Sequence, residues 1–521
     1  MATIDKLFPK KIGFAAGVFG AVFLTACYLF ATLRAGSTHL WLDEVNTVWL
    51  ARLPSYSAIW DAIWAGADYS PPTYLFLLHP LLEIGGESSR LLPRIPSIVA
   101  VFGAAICIYF LMRPSMSRSA SLVAFGGVLG SGIFEFAVQA RQYALIAFAL
   151  ALALVVWDRL EEARRKFLYP LVLWAALSLA VSLHFFGVVI PLTLGVCEFL
   201  WLVTRRRFRL TAWIPIAGSG LTAAAWLPLA SHLSKFNAID AAAENFYAKP
   251  TPGRFADGIF DLLIGGTIGA LVMLVAVGLI ISANMINRMP LVSQDQSLRV
   301  PSVEDRILSH VEIVIIALCA LPLITFGLSL FVTKAFSLRY MSSVALLFGL
   351  GLGYVVNRVP FRNLVATILV VLLAGQIIYR GKKPDPVQDV LGALGRVTTD
   401  LPIVVGEGLL FIELMRAADE KLRSSLVYLA SPPDAETPDP TNELMVVRHT
   451  RWRPDYRVVE RERFIAENPS FVLVTRSNFS TDIITPWLLD RGLIRDLRAR
   501  KDGVLIFVGG DGPLREGRLE R

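Results

Sequence analysis

The sequence predicts an all-α bundle of about 11 transmembrane helices, followed by a soluble α/β domain. Of the 521 residues, 55% are hydrophobic and 18% are charged, whereas a soluble protein carries about a quarter charged residues. Apolar runs long enough to cross a bilayer as helices recur between residues 12 and 379. After residue 379 the apolar runs shorten to strand length. These observations predict a transmembrane domain at 1–379 and an α/β domain at 380–521.

The basic residues determine the predicted orientation in the membrane. The net charge of +8 comes largely from short basic loops between apolar runs. This distribution is typical of loops on the cytoplasmic side of a membrane and argues against a nucleic-acid partner. It predicts a cytoplasmic N-terminus and, with an odd number of spans, a C-terminal domain outside. The main basic loops are residues 113–118, 159–166, 205–209 and 358–362.

The predicted spans follow the apolar runs in order. The first begins after three lysines and is too long for a signal peptide, so it is predicted to be retained. A first outer loop, residues 35–91, separates it from the second. The spans are 12–34, 92–112, 119–137, 143–157, a two-helix hairpin turning near 184–187 and ending at 205–209, 210–230, 258–284, 310–333, 341–357 and 363–379.

The C-terminal region has the alternation of an α/β domain. Short apolar runs at 402–406, 426–429, 471–474 and 504–508 have the length of buried strands. Amphipathic stretches at 409–423 and 482–491 have helical periodicity. Strands that alternate with helices predict a small sheet covered by helices.

An acidic pair, Asp43 and Glu44, follows the first span in the stretch LWLDEVNT. One alternative for Asp43 is a structural role alone, as the N-cap of a helix that begins at Glu44, because aspartate is a favoured N-cap; the two roles are compatible. The positive end of that helix also favours an ionised carboxylate, which a general base needs. Adjacent residues point in different directions on a helix. We therefore expect Asp43 to act in catalysis and Glu44 to orient or bind.

Many other polar residues are predicted to lie at the same outer face. For any single basic residue, the alternative is a side chain that extends to lipid headgroups without a catalytic role. A basic set on one face with an acidic pair favours a functional site. A 12-residue apolar helix at 73–84 is predicted to lie under the first outer loop. The polar residues are Asp68, Tyr69, Arg141, Tyr143, His184, Lys235, Lys249, Arg254, Arg339 and Tyr340.

Several motifs in this order carry a family resemblance. They are LDE, SPPTYLFLLHPLL, SSRLLPRIPSIVAVFGA, QARQYALIAFALAL, LHFFGVVIPL and FSLRY. With these motifs, the chain resembles the C-type (GT-C) multi-span glycosyltransferases that use polyprenyl-phosphate-linked sugars. It is most similar to protein-mannosyltransferase-like and rhizobial galacturonosyltransferase-like proteins, and more distantly to lipid A aminoarabinose transferases. The resemblance is good over residues 37–204 and extends thinly to 357.

The resemblance implies an activity and a location. It implies an inverting transfer of a sugar to an envelope glycan, lipid or protein at the outer face of the bacterial inner membrane. The aspartate of the pair would be the catalytic base, which is Asp43 here, with Glu44 as its companion. No cofactor or metal is expected besides the lipid-linked donor, because no acidic or histidine cluster has metal-ligand spacing. The predicted substrate-binding residues are Arg141, Tyr143, His184, Arg339, Tyr340, Tyr69, Asn46 and Ser70.

Two departures from the aminoarabinose branch limit which sugar the donor carries. That branch has an arginine three residues after the aspartate and a lysine before the proline pair. This chain has Asn46 and Ser70 at those positions. Their presence argues against aminoarabinose and shifts phosphate binding to Arg141, Arg339 or another basic residue.

Two other functions remain as alternatives. A transporter or flippase would place functional charges within its spans, often with internal repeats. Here the notable charges lie at predicted helix ends, and no clear repeat is visible. An oligosaccharide ligase is usually marked by a large late outer loop, whereas here the larger loop is the first one.

Overall fold

The computed structural model divides into two units. It describes residues 10–510, except 86–88, 162–166, 242–247, most of 264–307, 360, 398–399, 432–439, 477–481 and 502. The loop after the first span groups with the C-terminal region. The first unit comprises Met1–Gly36, Ser70–Ala230 and Ala248–Lys382, and the second comprises Ser37–Tyr69, Ser231–Tyr247 and Lys383–Arg521.

The described helices and strands are numbered in chain order. The helices up to residue 380 are α1 (Lys10–Gly36), α2 (Leu42–Ala51), α3 (Tyr56–Trp64), α4 (Thr73–Ile84), α5 (Ile95–Met112), α6 (Arg118–Gly130), α7 (Phe134–Ala137), α8 (Tyr143–Asp158), α9 (Leu168–Leu183), α10 (Val189–Arg205), α11 (Leu210–Ala241), α12 (Pro252–Leu263), α13 (His310–Leu328), α14 (Leu346–Arg358) and α15 (Arg362–Arg380). The later helices are α16 (Pro386–Leu394), α17 (Gly408–Ala417), α18 (Glu420–Ser425), α19 (Pro440–His449), α20 (Arg461–Glu467) and α21 (Ile484–Asp490). The strands are β1 (Ile403–Val405), β2 (Leu426–Ala430), β3 (Val458–Glu460), β4 (Ser470–Arg476), β5 (Ile494–Lys501) and β6 (Val504–Gly510).

Long apolar helices identify an integral membrane protein. Among the described residues, seven helical stretches have the length and composition to cross a bilayer, and α4, α8 and α9 are shorter apolar helices. The expected total of about 11 spans stays a prediction, since most of the span expected at 258–284 lies outside the described residues. The seven stretches are Gly17–Gly36, Leu92–Met112, Phe185–Arg205, Leu210–Phe236, His310–Thr333, Leu338–Arg358 and Arg362–Arg380.

Two helices of the first unit, α6 and α14, cross at glycines. A Cβ atom on Gly349 would lie 2.5 Å from the carbonyl oxygen of Ala124, and one on Gly127 would lie 2.7 Å from the Cα of Gly349. Only glycine allows the two backbones to approach this closely. Small residues at crossing points are typical of helices that pack within a membrane.

Helix α11 is longer than predicted. The expected span ended at residue 230, but the helix continues to Ala241. No proline or glycine follows Pro228 before residue 241, so nothing in the local sequence stops the helix.

The second unit contains a six-stranded sheet with the order β3-β2-β1-β4-β6-β5. β3, β2, β1 and β4 run parallel, and β6 and β5 are added as antiparallel strands. All three residues of β1 are buried, as expected for a parallel strand covered on both faces. The predicted strands at 402–406, 426–429, 471–474 and 504–508 are confirmed as β1, β2, β4 and β6.

Two strands were not predicted. β3 has only three residues, and β5 has the sequence IRDLRARK. Charges interrupt the apolar run in β5, so it has no strand signal of its own. It pairs because the neighbouring β6 offers an open backbone edge. The helix predicted at 409–423 is divided into α17 and α18, and the one at 482–491 is α21.

Candidate functional site

The acidic pair lies in the first turn of α2, in the second unit. The helix begins at Leu42, and its N-cap is Trp41. The alternative role of Asp43, as the N-cap of a helix beginning at Glu44, is therefore wrong. Asp43 is half-buried, and its backbone carbonyl accepts a hydrogen bond from the Thr47 hydroxyl at 2.7 Å. Its side chain is not used as the N-cap, and its position in the first turn favours a negative charge.

Glu44 has a different environment from its neighbour. Its side chain is fully buried, and its Oε2 accepts a hydrogen bond from the Trp41 backbone N–H at 3.2 Å. The third residue of a helix often satisfies the N-cap donor in this way. Glu44 thus stabilises the beginning of α2, on which Asp43 lies.

Two predicted binding residues of the second unit have structural partners there. The Asn46 side-chain amide donates to the carbonyl of Ala67 at 3.1 Å. The Tyr69 hydroxyl accepts from Nη1 of Arg448 at 3.0 Å. Both contacts hold the loop that follows α3.

Five predicted residues of the first unit form one cluster, which we call the cation–aromatic cluster: Arg141, Tyr143, His184, Arg339 and Tyr340. The guanidinium carbons of Arg141 and Arg339 each lie 6.0 Å from the centre of the Tyr143 ring. The His184 ring lies 5.7 Å from that of Tyr143 and 5.2 Å from that of Tyr340. Residues up to 199 positions apart in sequence are therefore brought together in the first unit.

Local structure determines the orientation of His184. It follows α9 in an extended conformation, and its Nδ1 accepts a hydrogen bond from the Phe186 N–H at 3.1 Å. An accepting Nδ1 leaves the proton of the neutral ring on Nε2. His184 is therefore a donor through Nε2.

Backbone contacts position the cluster. The carbonyl of Arg141 accepts from the Ser97 hydroxyl at 3.0 Å, and that of Tyr143 accepts from the Ser342 hydroxyl at 3.5 Å. Ser70, also in the first unit, accepts from the Gln142 side chain at 3.1 Å. Ser70 thus supports the segment that carries Arg141 and Tyr143.

The cluster has the chemistry of an anion site. Arg141, Tyr143 and His184 are buried, at 7%, 3% and 7% exposure. Arginine presents a fork of N–H donors that matches phosphate oxygens, and its charge acts more strongly where water is excluded. Two arginines beside one ring can hold a phosphate group and stabilise charge that develops on it.

Two supporting residues were missed in the sequence. Phe186 stacks on Tyr340 with ring centres 4.2 Å apart, and Gln142 contacts Ser70 as described. Both lie in the motifs LHFFGVVIPL and QARQYALIAFALAL, but nothing in the motifs distinguishes them from packing residues. Among the residues that the structure describes, no group of three or more His, Cys, Asp or Glu side chains is placed to hold a metal ion.

Comparisons with known proteins show which solved structures share the fold of this chain. No protein-family model matches the chain, and no curated protein matches it. The crystal structure of ArnT from Cupriavidus metallidurans in the apo state matches with a TM-score of 0.55 and 13% identity, covering 95% of this chain and 98% of that one. ArnT bound to undecaprenyl phosphate matches with a TM-score of 0.52 and 12% identity, over 94% and 97%. The chain is therefore an integral membrane protein with an ArnT-like fold.

Proposed function

We propose that this protein is an inverting glycosyltransferase. It moves a sugar from a polyprenyl-phosphate donor to a glycan, lipid or protein of the cell envelope, at the outer face of the inner membrane. The observation that carries the proposal is the likeness in fold to ArnT over 95% of the chain. ArnT has been solved with undecaprenyl phosphate bound, which is a polyprenyl phosphate such as the proposed donor would release.

In the proposed reaction, Asp43 takes the proton of an acceptor hydroxyl, whose oxygen attacks the anomeric carbon from the face opposite the phosphate. The new glycosidic bond forms as the bond from that carbon to the phosphate oxygen breaks, and the polyprenyl phosphate leaves with the electron pair. A single displacement inverts the anomeric centre. The position of Asp43 in the first turn of α2 favours the ionised form that a base requires.

The cation–aromatic cluster is proposed to bind the donor phosphate. The leaving phosphate gains negative charge in the transition state, and cations aimed at it lower the barrier. Arg141 and Arg339, each 6.0 Å from the centre of the Tyr143 ring, supply this charge, so we propose that the reaction has no obligatory metal. His184 donates through Nε2 to a substrate oxygen.

Replacing Asp43 by Asn tests the proposed base. We expect turnover to fall by at least about 10²-fold, since a positioned general base contributes about 10²- to 10⁴-fold. The assay uses membranes, undecaprenyl-phosphate-linked galacturonate, mannose or aminoarabinose as donor, and envelope extract as acceptor. Mass spectrometry measures the transferred sugar.

Asp61→Asn is the matched control, because Asp61 is exposed on α3 of the same unit. It should transfer like the wild type. Wild-type turnover in a folded D43N protein would remove Asp43 from the role of base. The mass added to the acceptor separates the alternatives: a ligase adds a whole oligosaccharide, and a flippase adds nothing.

A further inference from the structure

The sheet of the second unit has a topological switch point between β1 and β4. From β1 the chain continues to β2 and β3 on one side, and it returns as β4 on the other. β1 is parallel to both neighbours. In open α/β sheets, the crevice at the carboxyl ends of two such strands is where ligands usually bind.

Charged side chains fill this crevice. Glu407 lies two residues after the end of β1 and is fully buried, and Arg476 is the last residue of β4. Nη2 of Arg476 lies 3.1 Å from Oε2 of Glu407, and its backbone N–H donates to Oε1 of Glu407 at 3.1 Å. The Nη1 atom of Arg476 lies 3.5 Å from Oε2 of Glu413, on α17. Arg476 thus links the two glutamates.

The second oxygen of Glu413 binds the first residue of α2. Its Oε1 accepts a hydrogen bond from the Leu42 backbone N–H at 3.0 Å. The first N–H groups of a helix have no partner within the helix, and a carboxylate at this end also interacts favourably with the helix dipole. Asp43 is the next residue, so the bond holds the turn that carries the proposed base.

A second bond connects the same segment to the C-terminal region. The backbone N–H of His39 donates to Oδ2 of Asp385 at 2.9 Å, and its ring Nδ1 lies 2.9 Å from the same oxygen. His39 and Glu413 are both buried. The chain before Asp43 is therefore attached at two points, three residues apart.

We propose that Glu413 is a positioning residue for Asp43, and that the switch-point crevice of this domain holds helix α2 instead of a small ligand. This inference rests on the proposed function of Asp43. Reacting groups must be held closely: a displacement of about 1 Å costs about 10²-fold in rate. Arg476 and Glu407 orient Glu413 from the strand ends.

The first test removes the carboxylate in the full-length protein. Glu413→Ala should lower turnover by about 10²-fold, with little change in the KM for the donor. Hydrogen–deuterium exchange should be faster in the peptide that contains α2. Glu413→Gln keeps an oxygen that can accept the Leu42 N–H, so it should restore both. Glu467→Ala, at an exposed ion pair of the same domain, is the matched control.

The second test removes the donor without changing the α/β domain. Leu42→Pro deletes the N–H at the first position of the helix, where proline is well tolerated, and the preceding Trp41 is already extended. Leu42→Ala loses the side chain but keeps the N–H. We expect L42P, and not L42A, to reproduce both effects of E413A.

The outcomes separate the inference from the proposed function. Unchanged α2 exchange in E413A and L42P would overturn the role of Glu413 as a clamp. Faster exchange with wild-type turnover would overturn its role in positioning the base. If D43N transfers sugar like the wild type, the proposed function fails, while the exchange data still decide whether Glu413 holds α2.

Discussion

At the scale of single residues, position in the helix gives the two adjacent carboxylates of the acidic pair different environments. Glu44 is fully buried and accepts the N–H of Trp41, whereas Asp43 is half-buried in the same turn. The sequence indicated that the two acids point in different directions. The position of the first helical residue, Leu42, determines which of them supports the helix.

The arginines of the cation–aromatic cluster should contribute to turnover through their geometry as well as their charge. We expect Arg141→Ala or Arg339→Ala to lower turnover by about 10²-fold, the usual cost of removing one donor from a developing anion. Lysine should restore only part of the loss, since it lacks the planar fork. The transfer assay described for D43N measures both effects when it is run on membranes that contain the alanine variant, the lysine variant or the wild type.

Arg362→Ala is the control for these substitutions, because Arg362 is an exposed residue at the beginning of α15. Its turnover should match the wild type. Wild-type turnover in both R141A and R339A would assign phosphate binding to other cations.

Glu413 should make stability depend on pH. Burial raises its pKa from 4.5 to about 7, although Arg476 and the Leu42 N–H oppose this shift. Between these values the folded protein keeps a proton that the unfolded chain has lost. The free energy of unfolding therefore falls as pH rises, by up to about 1.4 kcal/mol per pH unit.

Thermal unfolding at pH 5, 6 and 7 tests this dependence by comparing the wild type with Glu413→Gln. Other groups titrate in both proteins, so the difference between them isolates Glu413. The stability of the variant relative to the wild type should increase with pH. A difference that stays constant over this range would contradict the raised pKa.

At the scale of elements, close backbone contacts determine which helices can pack together. A 3-10 turn, Phe185–Val188, connects α9 to α10, and a Cβ on Gly187 within it would lie 1.9 Å from the carbonyl oxygen of Ala180. This turn carries the backbone N–H of Phe186, which orients His184. The glycine thus allows a turn that positions a residue of the cluster.

The crossing of α6 and α14 gives a prediction of its own. Gly349→Ala should destabilise the protein by about 1–3 kcal/mol, because its new methyl group would meet the Ala124 carbonyl. Gly351→Ala, in the same helix, has nothing within 4 Å of the added atom, and alanine favours helix. Thermal unfolding in detergent should show a lower midpoint only for G349A; equal midpoints would contradict the tight crossing.

At the scale of the whole molecule, the chain divides in an order that differs from its sequence. Residues 37–69 belong to the same unit as the C-terminal α/β region, although membrane helices precede and follow them in the sequence. The bonds from Glu413 and Asp385 explain this grouping. The C-terminal region therefore holds the loop that carries the proposed base.

The proposed orientation can be tested with reporter fusions. Alkaline phosphatase fused after residue 521 should be active, because that enzyme matures only outside the cytoplasm, and green fluorescent protein there should be dark. Fusions after residue 362, in a predicted cytoplasmic loop, should give the reverse result. A fluorescent C-terminal fusion would contradict the odd number of spans.

Much of the architecture could be predicted because it depends on local composition. Length and hydropathy identify spans such as 92–112, which the structure reproduces as Leu92–Met112, and apolar runs identify four of the six strands. β5 was missed because its charged sequence pairs only through its neighbour. The predicted site residues stay predictions, although the structure brings five of them into one cluster.

The sequence by itself determined that this is a chain of membrane helices with an α/β region, since apolar length and periodicity are properties of local stretches. It also singled out Asp43 and the residues of the cation–aromatic cluster as candidates. Only the tertiary structure decided that β1 and β4 are neighbours and that Glu413 meets Leu42, 371 residues away. Strand order and such contacts depend on how distant segments pack together, and no local pattern encodes that choice.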